Sequence, residues 1–133
     1  MNKLEIFFRY FIEYENYKIV LIGLRNTLVI AICGLLIGIV VGSVVAAFKV
    51  AGTRSRVAKA VSYVGDAYTG IFRGTPIIVQ LIVFHYVILR GSGINPLLEA
   101  VLVFGLNSGA YVAEIMRGGI LSVDVGQLEA GRT

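Results

Sequence analysis

Glu114 and Arg117 stand three residues apart in an otherwise apolar stretch, a spacing at which a helix brings carboxylate and guanidinium into reach of each other. They belong to a longer pattern. Asn107, Ala110, Tyr111, Glu114, Arg117 and Gly118 fall at i, i+3, i+4, i+7, i+10 and i+11, one polar-and-small stripe along a helix. Unpaired polar groups are costly in hydrocarbon, so such a stripe must face a helix bundle or a water-filled path. A structural ion pair near a membrane interface and a pathway role both account for Glu114 and Arg117. An interhelical hydrogen bond and a pathway role stand even for Asn107.

A second constellation is Arg73-Gly74-Thr75-Pro76, followed by Gln80. Arg73 and Gln80, seven apart, are predicted to share a helical face. Gly74 is predicted to permit close approach. Pro76 should leave backbone carbonyls free for a ligand or a side chain. A broken helix beside a polar residue is one way transporters build a midplane site; a kink stabilised by Thr75 explains the same residues. Other chemistry is poorly served. His85 and Cys33 are the sole histidine and cysteine, which excludes a Cys/His metal pattern and an internal disulfide and offers little to a membrane enzyme. Both read as core or interface residues. No Gly-rich phosphate loop ending in Lys-Ser/Thr is present, so no nucleotide chemistry is expected of this chain.

The elements that position these residues follow from composition. Of 133 residues, 57% are hydrophobic and 15% charged, against about 25% charged in a soluble domain. A soluble chain this short could not bury so much apolar surface, so the solvent is lipid. The expected fold is a single all-α, polytopic membrane domain over residues 1–133. Residues 1–22 carry Phe7, Phe8, Tyr10, Phe11, Tyr14 and Tyr17 and read as an interfacial segment. Span one covers about residues 24–48, with no charge from Asn26 to Phe48. That run is longer than a signal-peptide core of about 7–15 residues. Its Gly34, Gly38, Gly42 and Ala46 form a small-residue face for a helix neighbour. Span two covers about residues 57–89, too long for one upright crossing and kinked at Pro76; its first part, to Phe72, is expected at the interface or against protein. Asn95 should cap span three, about residues 97–117, with Pro96 at its first position and Glu99 in its first turn. Gly118 and Gly119 should then loosen the chain.

The net charge of +4 sits in short loops, which speaks for membrane orientation rather than nucleic-acid binding. Lys49, Arg54, Arg56 and Lys59 lie in residues 49–59 with no acid among them. This segment should face the cytoplasm, and the N-terminus the outside, although Lys3, Arg9, Lys18 and Arg25 weigh the other way.

Three segments carry a resemblance: Gly23-Leu-Arg-Asn-Thr27, Phe72-Arg-Gly-Thr-Pro-Ile-Ile-Val-Gln80, and Leu106-Asn-Ser-Gly-Ala-Tyr-Val-Ala-Glu-Ile-Met-Arg-Gly-Gly-Ile-Leu-Ser-Val123 continuing through Gly126-Gln-Leu-Glu-Ala-Gly-Arg132. In register, they resemble the permease subunit of ATP-binding-cassette importers for polar amino acids. The resemblance implies a bacterial inner-membrane subunit of about five spans, N-terminus outside and C-terminus inside, and no enzyme. It implies a second permease subunit, an extracytoplasmic solute-binding protein, and cytoplasmic ATPase subunits that bind the ATP, so that this chain needs no cofactor of its own. Arg73, Gly74, Thr75, Pro76, Gln80, Asn107, Glu114 and Arg117 become candidates for the translocation pathway. Gly126, Glu129, Ala130 and Gly131 become candidates for coupling to the ATPase, within residues 118–133. Glu129-Ala130-Gly131 matches the start of the family's Glu-Ala-Ala coupling motif, with Gly131 in place of the second Ala, a change expected to cost the local helix about 1 kcal/mol. The chain ends at Thr133, inside that motif and before the fourth and fifth spans, so a truncated permease is expected. The rival expectation is a small oligomeric channel or scaffold packed through the glycine face of span one.

Overall fold

A computed structural model describes residues 2–51 and 55–132. Arg54 of the basic loop and Thr133 lie outside the described residues. The described residues form helices joined by short turns, with no strand among them. Helix α1 (Lys3–Phe8) runs on as a π-helical turn, Arg9–Glu13, and carries the aromatic N-terminal segment. Helix α2 (Tyr17–Ala51) is the first span and its extensions. Helix α3 (Arg56–Gly74) starts at Ser55, whose hydroxyl accepts the Ala58 amide. Helix α4 (Ile77–Val83) continues as a π turn, Phe84–Ile88. Helix α5 (Pro96–Leu121) and the short α6 (Val125–Ala130) complete the chain. Asn95 caps α5 by accepting the Leu97 amide at 2.8 Å, with Pro96 at the first helical position as the spacing requires.

Helices α2 and α5 are long and apolar enough to cross a membrane; α3 and α4 together form a bent pair. The bend is 108°, far beyond the expected kink. Pro76 has no amide to continue the α3 ladder, and Thr75 and Pro76 are both extended, so the helix stops and restarts. Three expected boundaries also move. Helix α2 begins seven residues before residue 24 and reaches Ala51, which places Lys49 in its last turn rather than in a loop. Helix α5 runs through Gly118 and Gly119 to Leu121; the two glycines do not loosen the chain. Cys33 is exposed on α2, which removes the core half of its core-or-interface reading.

The core is the α2–α5 seam, and small residues make it. Gly34, Gly38, Gly42 and Ala46 are all buried on α2. A Cβ on Gly38 would lie 2.6 Å from Ser108 Cβ, and one on Gly42 would lie 2.6 Å from Val112 Cβ and 2.8 Å from the Gly109 carbonyl oxygen. From α5, a Cβ on Gly105 would lie 2.7 Å from Ile37 Cγ2. Each helix therefore offers bare backbone to the other, the close approach that small-residue stripes permit in lipid. The glycine face is taken up within the chain, which removes the surface that the channel or scaffold alternative required. Helix α3 lies across both partners, and the Tyr68 hydroxyl donates to the Leu106 carbonyl at 2.5 Å.

Candidate functional site

Three groups of polar contacts are spaced along α5, each tying a different element to it. The middle one is built on the break. In an unbroken helix the Phe72 carbonyl would accept the amide of residue 76, and proline has none. Two side-chain amides take its place: Gln80 Nε2 donates to Phe72 O at 2.9 Å and Asn107 Nδ2 donates to it at 3.2 Å. Gln80 also donates to the Thr75 carbonyl at 3.0 Å and to Thr75 Oγ1 at 2.9 Å, and its own carbonyl accepts from Asn107 at 3.1 Å. Thr75 Oγ1 donates back to Ile71 O at 2.8 Å. The carbonyl freed by Pro76 is thus held by side chains, and Thr75, Pro76, Gln80 and Asn107 form one unit. Gly74 does not belong to it as foreseen. Nothing lies within 4 Å of where its Cβ would be, so no close approach occurs there.

The second group lies toward the C-terminal end of α5. Glu114 accepts from Arg117 at 3.0 and 3.3 Å, the i, i+3 pair foreseen from spacing. It also receives Lys49 Nζ from α2 and stands 3.7 Å from Arg73 Nη1 on α3. Lys49 donates further to Asp66 at 2.8 Å and to Thr69 Oγ1 at 3.0 Å, both on α3. Its side chain is only 5% exposed, so all three ammonium protons point at protein oxygens. Gly65 leaves room for the Lys49 stem, since a Cβ there would approach Lys49 Cγ to 3.1 Å. The Arg73 guanidinium sits over the Tyr111 ring at 5.5 Å. Arg73 and Gln80 therefore do not share a helical face: the break separates them, and each meets α5 at a different level.

The third group is near the start of α5. Glu99 is 6% exposed, and its Oε2 stands 2.9 Å from His85 Nδ1 on the π turn after α4. Neither Lys49 nor the His85–Glu99 pair was singled out from sequence. The signals were present. Lys49 follows Ala46 by three and so continues the glycine face, but its place among the basic residues 49–59 reads as a loop charge. Glu99 lies eight before Asn107, two turns along the same side, but its place in the first turn of a helix seemed reason enough for a carboxylate.

The coupling candidates lie apart from all three groups. Asp124 caps α6 by accepting the Gly126 amide at 3.0 Å. Glu129 is exposed on α6, Ala130 is its last residue, and Gly131 stands at the C-cap.

Removing Gln80 should be felt more than removing Asn107. Gln80→Leu strips three donor contacts and one acceptor, whereas Asn107→Leu leaves Phe72 O with Gln80. We expect Gln80→Leu to lower stability in lipid bicelles by about 1–2 kcal/mol and Asn107→Leu by about half as much. The double variant should cost less than the sum, because the two share an acceptor. Strict additivity in unfolding measurements would count against the shared unit.

No family model matches the chain. Over 113 residues it is 38% identical to the arginine transport system permease protein ArtQ of Bacillus subtilis, covering 84% of this chain and 49% of that one. Over 129 residues it is 34% identical to the nopaline transport system permease protein NocM of Agrobacterium fabrum, covering 89% of this chain and 52% of that one. The crystal structure of an amino acid ABC transporter with histidines superposes with a TM-score of 0.72 at 33% identity, over 92% of this chain and 56% of that one. The chain spans about half the length of the curated relatives it matches.

Proposed function

We propose that this chain, a relative of the permease proteins of amino-acid ABC transport systems, contributes membrane helices to the translocation pathway of an ATP-driven importer for polar amino acids. The observation that carries this is the discontinuous α3–α4 helix, whose freed Phe72 carbonyl is held by Gln80 and Asn107. Broken helices with polar groups at the break form substrate sites in many transporters, because backbone there can face a ligand without facing lipid. In this scheme Thr75, Pro76, Gln80 and Asn107 lie at the pathway, and Gly74 leaves its backbone open toward it. Arg73, Glu114 and Arg117 form its charged border, with Lys49 beneath them.

The assembly would include a second permease subunit, an extracytoplasmic solute-binding protein and a cytoplasmic ATPase that holds the ATP. Helix α6 would meet the ATPase, with Glu129 as a polar anchor and Gly126, Ala130 and Gly131 beside it. The chain would lie in the bacterial inner membrane with its N-terminus outside, and with the connection between α2 and α3 and the segment after α5 in the cytoplasm. ATP-driven closure of the ATPases would push α6 and, through α5, swing the spans between inward and outward access.

Co-expression with the ATPase of a bacterial importer for polar amino acids tests the proposal. The tagged chain should retain the ATPase through detergent purification, and Glu129→Lys should abolish the capture while leaving membrane insertion intact. Equal capture by both forms would remove α6 from the contact, and no capture by either would remove the coupling role.

A further inference from the structure

We infer that the segment Ile77–Ile88 is a movable arm whose position against α5 is set by the His85–Glu99 contact, so that this pair is a releasable latch at the opposite end of α5 from the Lys49 cluster. Three observations carry it. First, regular helix is interrupted at each end of the arm. On one side the helix is broken at Thr75 and Pro76, with a bend of 108°. On the other the chain turns through Gly91 at φ +78° and Gly93 at φ +70°, the left-handed region that glycine enters without strain. Hinges of this kind are short segments that absorb backbone rotation between rigid elements.

Second, the arm has room. The elbow between α3 and the arm is an open apolar groove of about 330 Å³, lined by residues including Ile71, Val79, Val83 and Ile88. Third, the polar contacts that hold it lie on α5 and at the break. Near its start Gln80 is held by Phe72, Thr75 and Asn107. Near its end His85 alone reaches Glu99. The two contacts differ in kind. The first is a closed set of amide hydrogen bonds. In the second, the histidine side chain is 52% exposed while Glu99 keeps only 8% of its side chain exposed, and Glu99 Oε1 has no hydrogen-bond partner among the described residues. A buried carboxylate satisfied on one oxygen is a weak closure. Separation of the arm would let water reach both oxygens, which offsets the loss of the histidine. The π turn over Phe84–Ile88 adds a residue to the turn at this point and so sets where His85 projects.

The latch rests on the proposed transport role only for what the motion serves; its existence is tested without transport. The whole chain, carrying Cys33→Ser, is labelled with spin probes at Val87→Cys on the arm and Leu98→Cys on α5 and placed in lipid nanodiscs. A second labelled pair, Val40→Cys on α2 and Ile115→Cys on α5, reports on the seam. The parent should give one distance population for Val87–Leu98. His85→Ala and Glu99→Ala should each add a longer-distance population there, with the Val40–Ile115 distance unchanged. His85→Gln, which keeps a donor, should return the single population. Unchanged Val87–Leu98 distances in both alanine variants would overturn the latch. Movement of both labelled pairs together would overturn the arm as a separate element. Failure of ATPase capture, by contrast, would touch only the transport role.

Discussion

Gly42→Ala should separate α2 from α5 and produce the largest loss of stability among single-methyl additions to this chain. The added Cβ would lie 2.6 Å from Val112 Cβ, 2.7 Å from Val112 Cγ1 and 2.8 Å from the Gly109 carbonyl oxygen. The last of these is backbone, so no side-chain rotation relieves it. Overpacking of a tight core costs about 1–3 kcal/mol, occasionally more. Here the clash also opens a seam whose attraction rests on close van der Waals contact, because lipid offers apolar side chains nearly the same environment as a neighbouring helix. Gly70→Ala is the control. Its Cβ meets nothing within 4 Å, and alanine favours a helix over glycine by about 1 kcal/mol. Unfolding in bicelles should therefore show Gly42→Ala destabilised and Gly70→Ala unchanged or stabilised. Equal stability of the two would mean that the seam is not where the structure places it.

Lys49→Met should be comparably damaging for an electrostatic reason. It removes the ammonium that joins Glu114 on α5 to Asp66 and Thr69 on α3. Arg117 stays at 3.0 Å, but Arg73 at 3.7 Å is too far to replace the lost bond. Deleting one partner of a buried ion pair costs about 3–5 kcal/mol when the remaining charge is left without compensation; with Arg117 still on Glu114, the loss expected here lies at or below the lower end of that range. Replacing both partners by apolar residues of similar size is often close to neutral. The expected pattern is thus a large loss for Lys49→Met and a smaller one for Lys49→Met combined with Glu114→Leu. A double variant less stable than the single would show that Glu114 is held mainly by Arg117, with Lys49 a bystander. Cross-linking between α2 and α3 should show α3 loosened in both variants, since the polar contacts of Asp66 and Thr69 with α2 run through that one amine.

The pathway candidates differ in how they could be read. Pro76 and Thr75 announce a break in any helix, because the missing amide and the extended residue before proline are local chemistry. The size of the break is not local. A kink of a few tens of degrees and a turn of 108° follow from the same dipeptide, and the choice between them depends on what receives the Phe72 carbonyl. That receiver includes Asn107, on another helix. The shared face foreseen for Arg73 and Gln80 failed for the same cause: helical periodicity was carried across a point where the helix had ended.

Composition alone was enough to place this chain in lipid, since no fold of this length could hide so much apolar surface from water. Helix periodicity was enough to draw the small-residue face of α2 and the polar stripe of α5, and cap chemistry to start α5 at Pro96. Those are properties of a chain against its solvent or against its own near neighbours. Pairings between distant positions are of another order. Gly42 meets Val112, Lys49 meets Glu114 and His85 meets Glu99 only because three helices cross at particular depths and rotations. Bare backbone on α2 and α5 lets them approach closely, and that closeness draws Lys49 inward from the membrane surface to the acid on the other side of the seam.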